Sequence, residues 1–230
     1  MIYTDRTPGD PVNRQRIFWS SAIAVIRIAG TTHQTFSFPA DIATVSNFYR
    51  DFSRILHYLP HIQLVKDYGP DQFRVLYHTL ELRVYRVRIY CDVQVRYDEA
   101  AQTLHVAPLL NKPPARSEAT VHSLTAQGYF TSRSVFRPRS EHSLVDYQLS
   151  LEARLPKPLG LMLMPDRVIE QIASSITEWR IHEIAGGFIK RSVQEYREQA
   201  AAVASEGQTV RSARQELFPA AAVRQPRRVR

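Results

Sequence analysis

The clearest pattern in the chain is a run of alternating apolar and polar positions at residues 83–98, RVYRVRIYCDVQVRYD. Apolar residues occupy every second position, and mostly charged residues fill the positions between them. Because successive side chains of a strand point to opposite faces of a sheet, this run predicts a strand with one buried face and one wet face. Residues 143–155 show the same pattern, with Val145, Tyr147 and Leu149 on the apolar face.

Shorter runs of the same period predict further strands between turn signals. We expect strands at about 31–38, 62–69, 72–82, 102–110 and 127–137. The turn at Gly69-Pro70 separates the second from the third. The inward face of the last one stays open, because the pattern allows either Tyr129 and Val135 or Phe130 and Phe136 to point inward.

Helical spacing appears in two parts of the chain. Asp41 predicts the N-cap of a helix that runs to Phe52, and a second helical turn ends at Pro60. The longest helix is expected to begin at Pro165 or Asp166 and to end near Gln199. Its apolar positions are three and four residues apart, as an amphipathic helix requires, at Ile169, Ile172, Ile176 and Trp179.

The order of these elements resembles the START/Bet v 1-like superfamily of helix-grip proteins, also called SRPBCC. Besides the two long alternating strands, the resemblance lies in TFSFPADIATVSNFYRDFSRILHYLPHIQLV and in LPKPLGLMLMPDRVIEQIASSITEWRIHEIAGGFIKRSVQEY. The second stretch is most similar to DUF1997, a family of cyanobacterial and plastid proteins. The resemblance covers about residues 31–199. It implies an α+β helix-grip fold, in which a curved antiparallel sheet wraps around a long C-terminal helix and two short helices follow the first strand.

The resemblance also implies an apolar cavity between the sheet and the C-terminal helix. Relatives hold lipids, sterols, quinones, polyketides or tetrapyrroles there, so we expect a binding or carrier protein for a hydrophobic small molecule. Lipids, isoprenoids, quinones and pigments rank first if the source is an oxygenic phototroph. Two alternatives stay open: a cyclase or dehydratase-type enzyme that uses polar groups of the cavity, and an assembly factor for a photosynthetic membrane complex. The fold alone does not select among them.

Residues on the inward strand faces and on the long helix are the candidate ligand-binding residues. They are Phe73, Tyr77, Tyr85, Ile89, Tyr147, Leu149, Ile172, Ile176, Trp179, His182 and Gly186. Each of them could instead fill a packed core or, like His182, lie on an exposed flank. The pair Gly186-Gly187 costs about 1 kcal/mol per residue inside a helix, which close packing or the approach of a ligand would offset.

Composition divides the chain into three parts. We expect a flexible N-terminal arm at 1–16, the helix-grip domain at 17–200 and a disordered basic tail at 201–230. The formal net charge is +8, but six arginines against one glutamate lie from residue 208 onward. The basic charge therefore belongs largely to the tail, and no specific nucleic-acid partner is expected. The tail and the outward arginines Arg86, Arg88 and Arg96 could contact an anionic membrane or a membrane protein complex.

No cofactor, metal site or catalytic residue is predicted. The chain contains no G-x-S-x-G, H-E-x-x-H, Walker or G-x-G-x-x-G motif, so a noncatalytic role is favoured and catalysis stays open. Cys91 is the only cysteine, which prevents a disulfide within one chain. His57 and His61 have helical spacing, but Pro60 separates them and no carboxylate is close in sequence.

The longest apolar stretch, residues 17–29, contains Arg27 and is shorter than the roughly 20 residues of a membrane-spanning helix. We expect a strand or a packing segment there instead of a signal peptide. The expected location is therefore the cytoplasm or the plastid stroma, with at most a peripheral contact with a membrane.

Overall fold

The computed structural model describes residues 25–81 and 83–217, with side chains as far as Val203 and at Ser205. The described strands are β1 (Val25–Phe38), β2 (Ile62–Gly69), β3 (Gln72–Glu81), β4 (Tyr85–Asp98), β5 (Thr103–Pro108), β6 (Glu118–Ala119), β7 (Ser123–Pro138) and β8 (Ser143–Pro156). The described α-helices are α1 (Ile42–Arg50), α2 (Phe52–Leu56) and α3 (Asp166–Leu217). The expected N-terminal arm and residues 218–230 of the expected tail lie outside the described residues.

All eight strands belong to one sheet with the order β1-β8-β7-β5-β4-β3-β2, in which β6 pairs only with β7. Neighbours are antiparallel except where β5 is too short to separate β4 from β7. There the two strands pair directly and in parallel, from Arg86 opposite Ser123 to Tyr90 opposite Gln127. The curved sheet closes on α3, which packs against β1 and β8. The predicted helix-grip fold is confirmed.

The predicted alternation of the strands is confirmed by their burial. Ile89, Cys91, Val93 and Val95 are buried on the inner face of β4, and every second residue from Val145 to Leu155 is buried on β8. The open question about β7 is decided by its register with β8. Phe130 of β7 lies opposite Leu151 of β8, and Phe136 lies opposite Val145, so all four side chains share the inner face. Tyr129 consequently points outward and is exposed.

The helix expected from Asp41 to Phe52 is divided in two by a second capping aspartate. Asp41 accepts a hydrogen bond from the backbone N–H of Thr44 at 2.8 Å and caps α1. Asp51 accepts one from the N–H of Arg54 at 3.1 Å and caps α2. A side-chain oxygen that satisfies the first free N–H groups of a helix favours a new start at that position.

Helix α3 begins at Asp166 as expected but continues to Leu217 instead of ending near Gln199. The expected boundary between the domain and the tail, at residues 200 and 201, therefore falls inside a helix. The residues that follow Gln199 are mostly alanines, which have the highest helix propensity, and no glycine or proline interrupts them before Gly207. The spacing of apolar residues predicts the end of a helix only as far as the helix has an apolar face, so it cannot predict a continuation that lacks one.

An aromatic cluster fills the space between sheet and helix at the α1 end of the molecule. The Phe38 ring contacts the rings of Phe48, Tyr49 and Tyr196 at centroid distances of 5.3, 5.4 and 4.8 Å. The Tyr49 hydroxyl forms a hydrogen bond of 2.9 Å with the Ser192 hydroxyl of α3, and burial raises the pKa of Tyr49. This end of the grip is a packed core, so any cavity must lie toward the other end.

The two glycines of the pair in α3, Gly186 and Gly187, should respond to alanine substitution with opposite changes in stability. A Cβ atom at Gly187 would lie 2.5 Å from Cγ of Pro60, whereas one at Gly186 would meet nothing within 4 Å. We expect Gly187→Ala to lower the free energy of unfolding by about 1–3 kcal/mol through overpacking. Gly186→Ala should raise it by up to about 1 kcal/mol through helix propensity. Urea unfolding of both variants checks this, and equal changes would contradict it.

Candidate ligand cavity

A cavity of about 500 Å³ lies between the inner face of the sheet and the N-terminal half of α3. Its walls are almost entirely apolar. They include Ile26 and Ile28 of β1, Val87 and Ile89 of β4, Leu151 and Leu155 of β8, and Ile172, Ile176 and Ile181 of α3. The volume lies within the roughly 300–1,000 Å³ that small-molecule sites occupy.

The mouth of the cavity is marked by lining residues that are also exposed. Val84 follows β3, Val121 precedes β7, and Ile172 lies in the second turn of α3. The loop between β8 and α3 borders the same opening, because its Gly160, Leu161 and Met164 also line the cavity. The mouth thus lies at the end of the grip opposite the aromatic cluster.

Five side chains with polar atoms belong to the described lining: Tyr77, Glu81, Tyr85, Thr177 and Arg180. The Arg180 guanidinium donates to both oxygens of Glu81, from Nε at 2.9 Å and from Nη2 at 3.2 Å. Its Nη1 donates to Oε2 of Glu183 at 2.5 Å. On the other side of Glu183, Nε2 of His61 lies 3.5 Å from Oε1. We call Tyr77, Glu81, Arg180 and Glu183 the polar corner.

Three groups of the polar corner, Tyr77, Arg180 and Glu183, have shifted pKa values that hold them in their ordinary charge states. Burial, together with the negative charge of Glu81, raises the pKa of Tyr77 to about 12. The pKa of Arg180 is raised as well, because its hydrogen bonds to Glu81 and Glu183 outweigh the opposing effect of burial. Burial also opposes ionisation of Glu183, but the hydrogen bond from Arg180 lowers its pKa overall. At neutral pH the phenol is therefore protonated, Arg180 is a cation and Glu183 is an anion.

The eleven residues proposed from the sequence fall into three groups. Tyr77, Tyr85, Ile89, Ile172 and Ile176 line the main cavity, and Leu149 lines a smaller one of about 20 Å³ that shares Tyr77 and Ile181 with it. Phe73 and Tyr147 are buried elsewhere in the core, where their rings pack on Phe52 and Phe188 at centroid distances of 5.2 and 5.1 Å. Trp179, His182 and Gly186 line neither cavity.

The placement of Trp179 and His182 follows from the helical period. Ile181 is buried against the sheet, and two residues correspond to about 200° around a helix, so Trp179 points away from it. The indole is 59% exposed, and the Arg180 guanidinium lies over it at 4.3 Å. His182 is exposed, and its Nδ1 forms a hydrogen bond of 2.9 Å with the backbone carbonyl of Glu178. Both residues belong to the outer face of α3.

The polar corner was not predicted from the sequence. Glu81 and Arg180 are 99 residues apart, and only the packing of α3 over β3 brings them together. One signal was present: Arg180 lies four residues after Ile176 and four before Ile184, so it falls within the apolar stripe of the helix. A charged residue in such a stripe predicts a buried partner or a polar site.

The outer face of the sheet also holds a buried charge where a wet face was expected. Asp92 is buried and accepts two hydrogen bonds from Arg74, at 2.7 and 2.8 Å, and one from the Tyr68 hydroxyl at 3.0 Å. Arg74 also donates to the backbone carbonyl of Pro113 at 2.5 Å. The proline-rich loop after β5 is thereby held against the sheet, and Arg74 is neutralised, whereas Arg86, Arg88 and Arg96 are exposed.

Three other features bear on function. Burial raises the pKa of the Cys91 thiol to about 12, which makes it a small core residue and not a reactive thiol. In the described part of the chain, no three His, Cys, Asp or Glu side chains are grouped so that they could hold a metal ion. Nor does any helix within residues 25–81 and 83–217 have the length and apolar character needed to cross a membrane.

No protein-family model matches the chain, and no curated protein matches it. Among solved structures, the chain is similar to the Zhui aromatase/cyclase from Streptomyces sp. R1128, with 10% identity, a TM-score of 0.48, and 75% of this chain and 96% of that one covered. A START superfamily protein from Mycobacterium smegmatis follows at 13% identity and a TM-score of 0.40, over 72% and 98% of the two chains. Ara h 8.0201 has 14% identity and a TM-score of 0.36, over 73% and 97%.

No family model and no curated protein supports the narrower resemblance to DUF1997. Identities of 10–14% do not extend to ligands or reactions. The assignment of the fold rests on the chain's own strand order and on the position of α3 against the sheet. In architecture the chain is a helix-grip protein with an apolar cavity in its grip.

Proposed function

We propose that the chain is a binding or carrier protein for a hydrophobic small molecule, which occupies the cavity between the sheet and α3. The observation that carries this proposal is the cavity of about 500 Å³ itself. Protein interiors are close-packed, and an unfilled apolar space lowers stability in proportion to its volume. A ligand that fills the space restores those contacts, and the exposed rim at Val84, Val121 and Ile172 offers it a way in.

A catalytic function is less well supported by the same geometry. A cyclase or dehydratase would need an acid–base pair that faces the ligand, and Tyr77 with Glu81 is the pair that the lining offers. Both oxygens of Glu81 are occupied by hydrogen bonds from Arg180, and burial raises the pKa of Tyr77 to about 12, so the phenol is not suited to exchange its proton near neutral pH. An assembly factor acting only through protein contacts would leave the cavity without a use.

The apolar cavity walls indicate the chemical class of the ligand, and the sequence resemblance indicates which members of that class to test first. Lipids, isoprenoids, quinones and pigments all suit an apolar cavity of this size. The DUF1997 resemblance of the C-terminal stretch places the molecules of oxygenic phototrophs first among them.

Native mass spectrometry of the gently purified protein, followed by organic extraction, tests the proposal. We expect a co-purifying apolar molecule at a stoichiometry near one per chain. A clean apo mass, together with no uptake from a panel of lipids, quinones and pigments, would contradict the proposal and favour the assembly role.

We propose in addition that the mouth of the cavity contacts an anionic membrane. Leu159, Met162 and Leu163 are exposed on the loop beside the mouth, and Leu163 is exposed completely. Exposed arginines lie on the elements that border the mouth: Arg83 and Arg86 beside Val84 in the sequence, Arg167 at the start of α3, and the pair Arg27 and Arg154 on β1 and β8. The last two are direct partners across β1 and β8.

Like charges placed opposite each other destabilise a sheet unless an anion lies between them. An apolar tip with a basic rim suits the surface of a lipid bilayer that contains anionic headgroups. In this proposal the protein is a peripheral one of the cytoplasm or the plastid stroma, and its ligand is exchanged directly between the bilayer and the cavity.

Leu163→Glu tests the membrane contact. Because full burial of a leucine contributes about 1.5–3 kcal/mol, we expect binding to vesicles that contain phosphatidylglycerol to weaken about tenfold. Leu110→Glu is the matched control, since Leu110 is 76% exposed on the loop after β5, away from the mouth. Sedimentation with the vesicles measures both variants.

Two outcomes would contradict the membrane contact. One is an equal loss of binding in the control variant. The other is a lower melting temperature of Leu163→Glu in solution without vesicles, which would indicate that the folded chain itself covers the apolar tip.

A further inference from the structure

We infer that the cavity selects an uncharged amphiphile whose hydroxyl or carbonyl oxygen lies at the polar corner, and that it rejects carboxylates. This inference rests on the proposed binding function and names the chemistry of the ligand's polar end. The inference depends on which charges and hydrogen-bond donors of the polar corner are already paired within the protein and which are free for a ligand.

Among the described residues that line the cavity, Arg180 is the one cation, and its charge is fully compensated. Arg180 has five N–H groups, and three of them donate to the carboxylates of Glu81 and Glu183. One positive charge therefore stands between two negative ones, and His61 adds a second positive charge only when it is protonated. The formal net charge of the polar corner is therefore −1, which a protonated His61 beside it would neutralise.

A carboxylate ligand would find no uncompensated positive charge at the polar corner. It would lose its hydration on entering a cavity whose walls are apolar, and the cation it needs is already paired with Glu81. Burying a charge without a partner costs several kcal/mol. An ammonium group would lose its hydration too, and it would have to displace Arg180 from Glu81 and Glu183.

A neutral oxygen, by contrast, finds donors at the polar corner. Two N–H groups of Arg180 have no acceptor among the described residues. Tyr77 also lines the cavity, and because burial raises its pKa to about 12, its hydroxyl keeps at neutral pH a proton that can be donated to a ligand oxygen. The other two hydroxyls of the lining already donate to backbone carbonyls, Tyr85 to Ser123 at 3.1 Å and Thr177 to Ala173 at 2.7 Å.

The experiment compares three probes that share one alkyl chain: dodecanol, dodecanoate and dodecylamine. Each competes with the uncharged fluorophore N-phenyl-1-naphthylamine for the purified, delipidated full chain, at a pH where dodecanoate is ionised. We expect dodecanol to displace the fluorophore about tenfold more strongly than either charged probe.

Glu81→Gln provides the sharper test, because it keeps the shape of the side chain and removes one of the two negative charges that compensate Arg180. The preference of this variant for dodecanol over dodecanoate should be about tenfold smaller than that of the wild type. The control is Glu178→Gln, which makes the same charge change at an exposed position of α3 and should alter neither affinity. Tyr77→Phe should weaken the binding of dodecanol by about fivefold through the loss of one hydrogen bond. Circular dichroism establishes that each variant is folded.

The possible failures are distinguishable. A wild-type protein that takes up the fluorophore but binds dodecanoate or dodecylamine as well as dodecanol would overturn this inference and leave the binding function standing. An unchanged preference for dodecanol over dodecanoate in Glu81→Gln would also overturn this inference, and so would an equal change of that preference in Glu178→Gln. A wild-type protein that takes up no fluorophore would overturn the binding function and this inference together.

Discussion

Ala173→Phe should remove ligand binding while leaving the fold intact. Ala173 lines the cavity from α3, and a phenyl ring in its place would occupy space that the ligand needs. Because small-molecule sites enclose most of their ligand, we expect the affinity for N-phenyl-1-naphthylamine to fall by about a hundredfold. Stability should be unchanged or higher, since the ring fills an apolar cavity instead of overpacking a core. Fluorescence titration and thermal unfolding measure the two effects.

A matched control exists on the same helix. Ala202 is exposed on α3, far along the helix from the cavity, so Ala202→Phe makes the same chemical change without filling it. This variant should bind the fluorophore like the wild type. If folded Ala173→Phe kept the wild-type affinity, the ligand would not occupy this cavity.

Asp92→Ala should produce the largest loss of stability of any single change considered for the outer face. Its carboxylate side chain is only 2% exposed, and it is the acceptor for both Arg74 and the Tyr68 hydroxyl. Removing one partner of a buried ion pair leaves the other charge without compensation, which costs about 3–5 kcal/mol. The loop after β5 would also lose its anchor, because Arg74 holds the carbonyl of Pro113. Urea unfolding measures the change.

Asp146→Ala is the control for the loss of a carboxylate. Asp146 is 25% exposed on the outer face of β8, where it contacts His33 and lies 3.5 Å from Arg137. Partly exposed pairs of this kind contribute up to about 1 kcal/mol, so its removal should have a small effect. Similar losses for the two variants would refute the view that Asp92 organises the outer face.

The sequence by itself determined the elements and their order. The alternation of β4 and β8 predicted which side chains would be buried, because a strand's two faces are set by the backbone alone. Asp41 and the Gly69-Pro70 turn predicted a helix start and a strand end for the same local reason. Five of the proposed ligand-binding residues came to line the main cavity because they lie on the inner faces that these patterns identify.

Only the tertiary structure decided which inward residues face a cavity and which fill the core. Tyr77 and Tyr147 have the same local pattern, but the aromatic cluster packs around one end of the grip and leaves the other end open, so Tyr77 lines the cavity and Tyr147 is enclosed. The polar corner and the Arg74–Asp92 pair were likewise decided by packing, since they join side chains that are distant along the chain. The period of a strand or a helix gives the direction of a side chain, and what it meets there depends on elements far away in sequence.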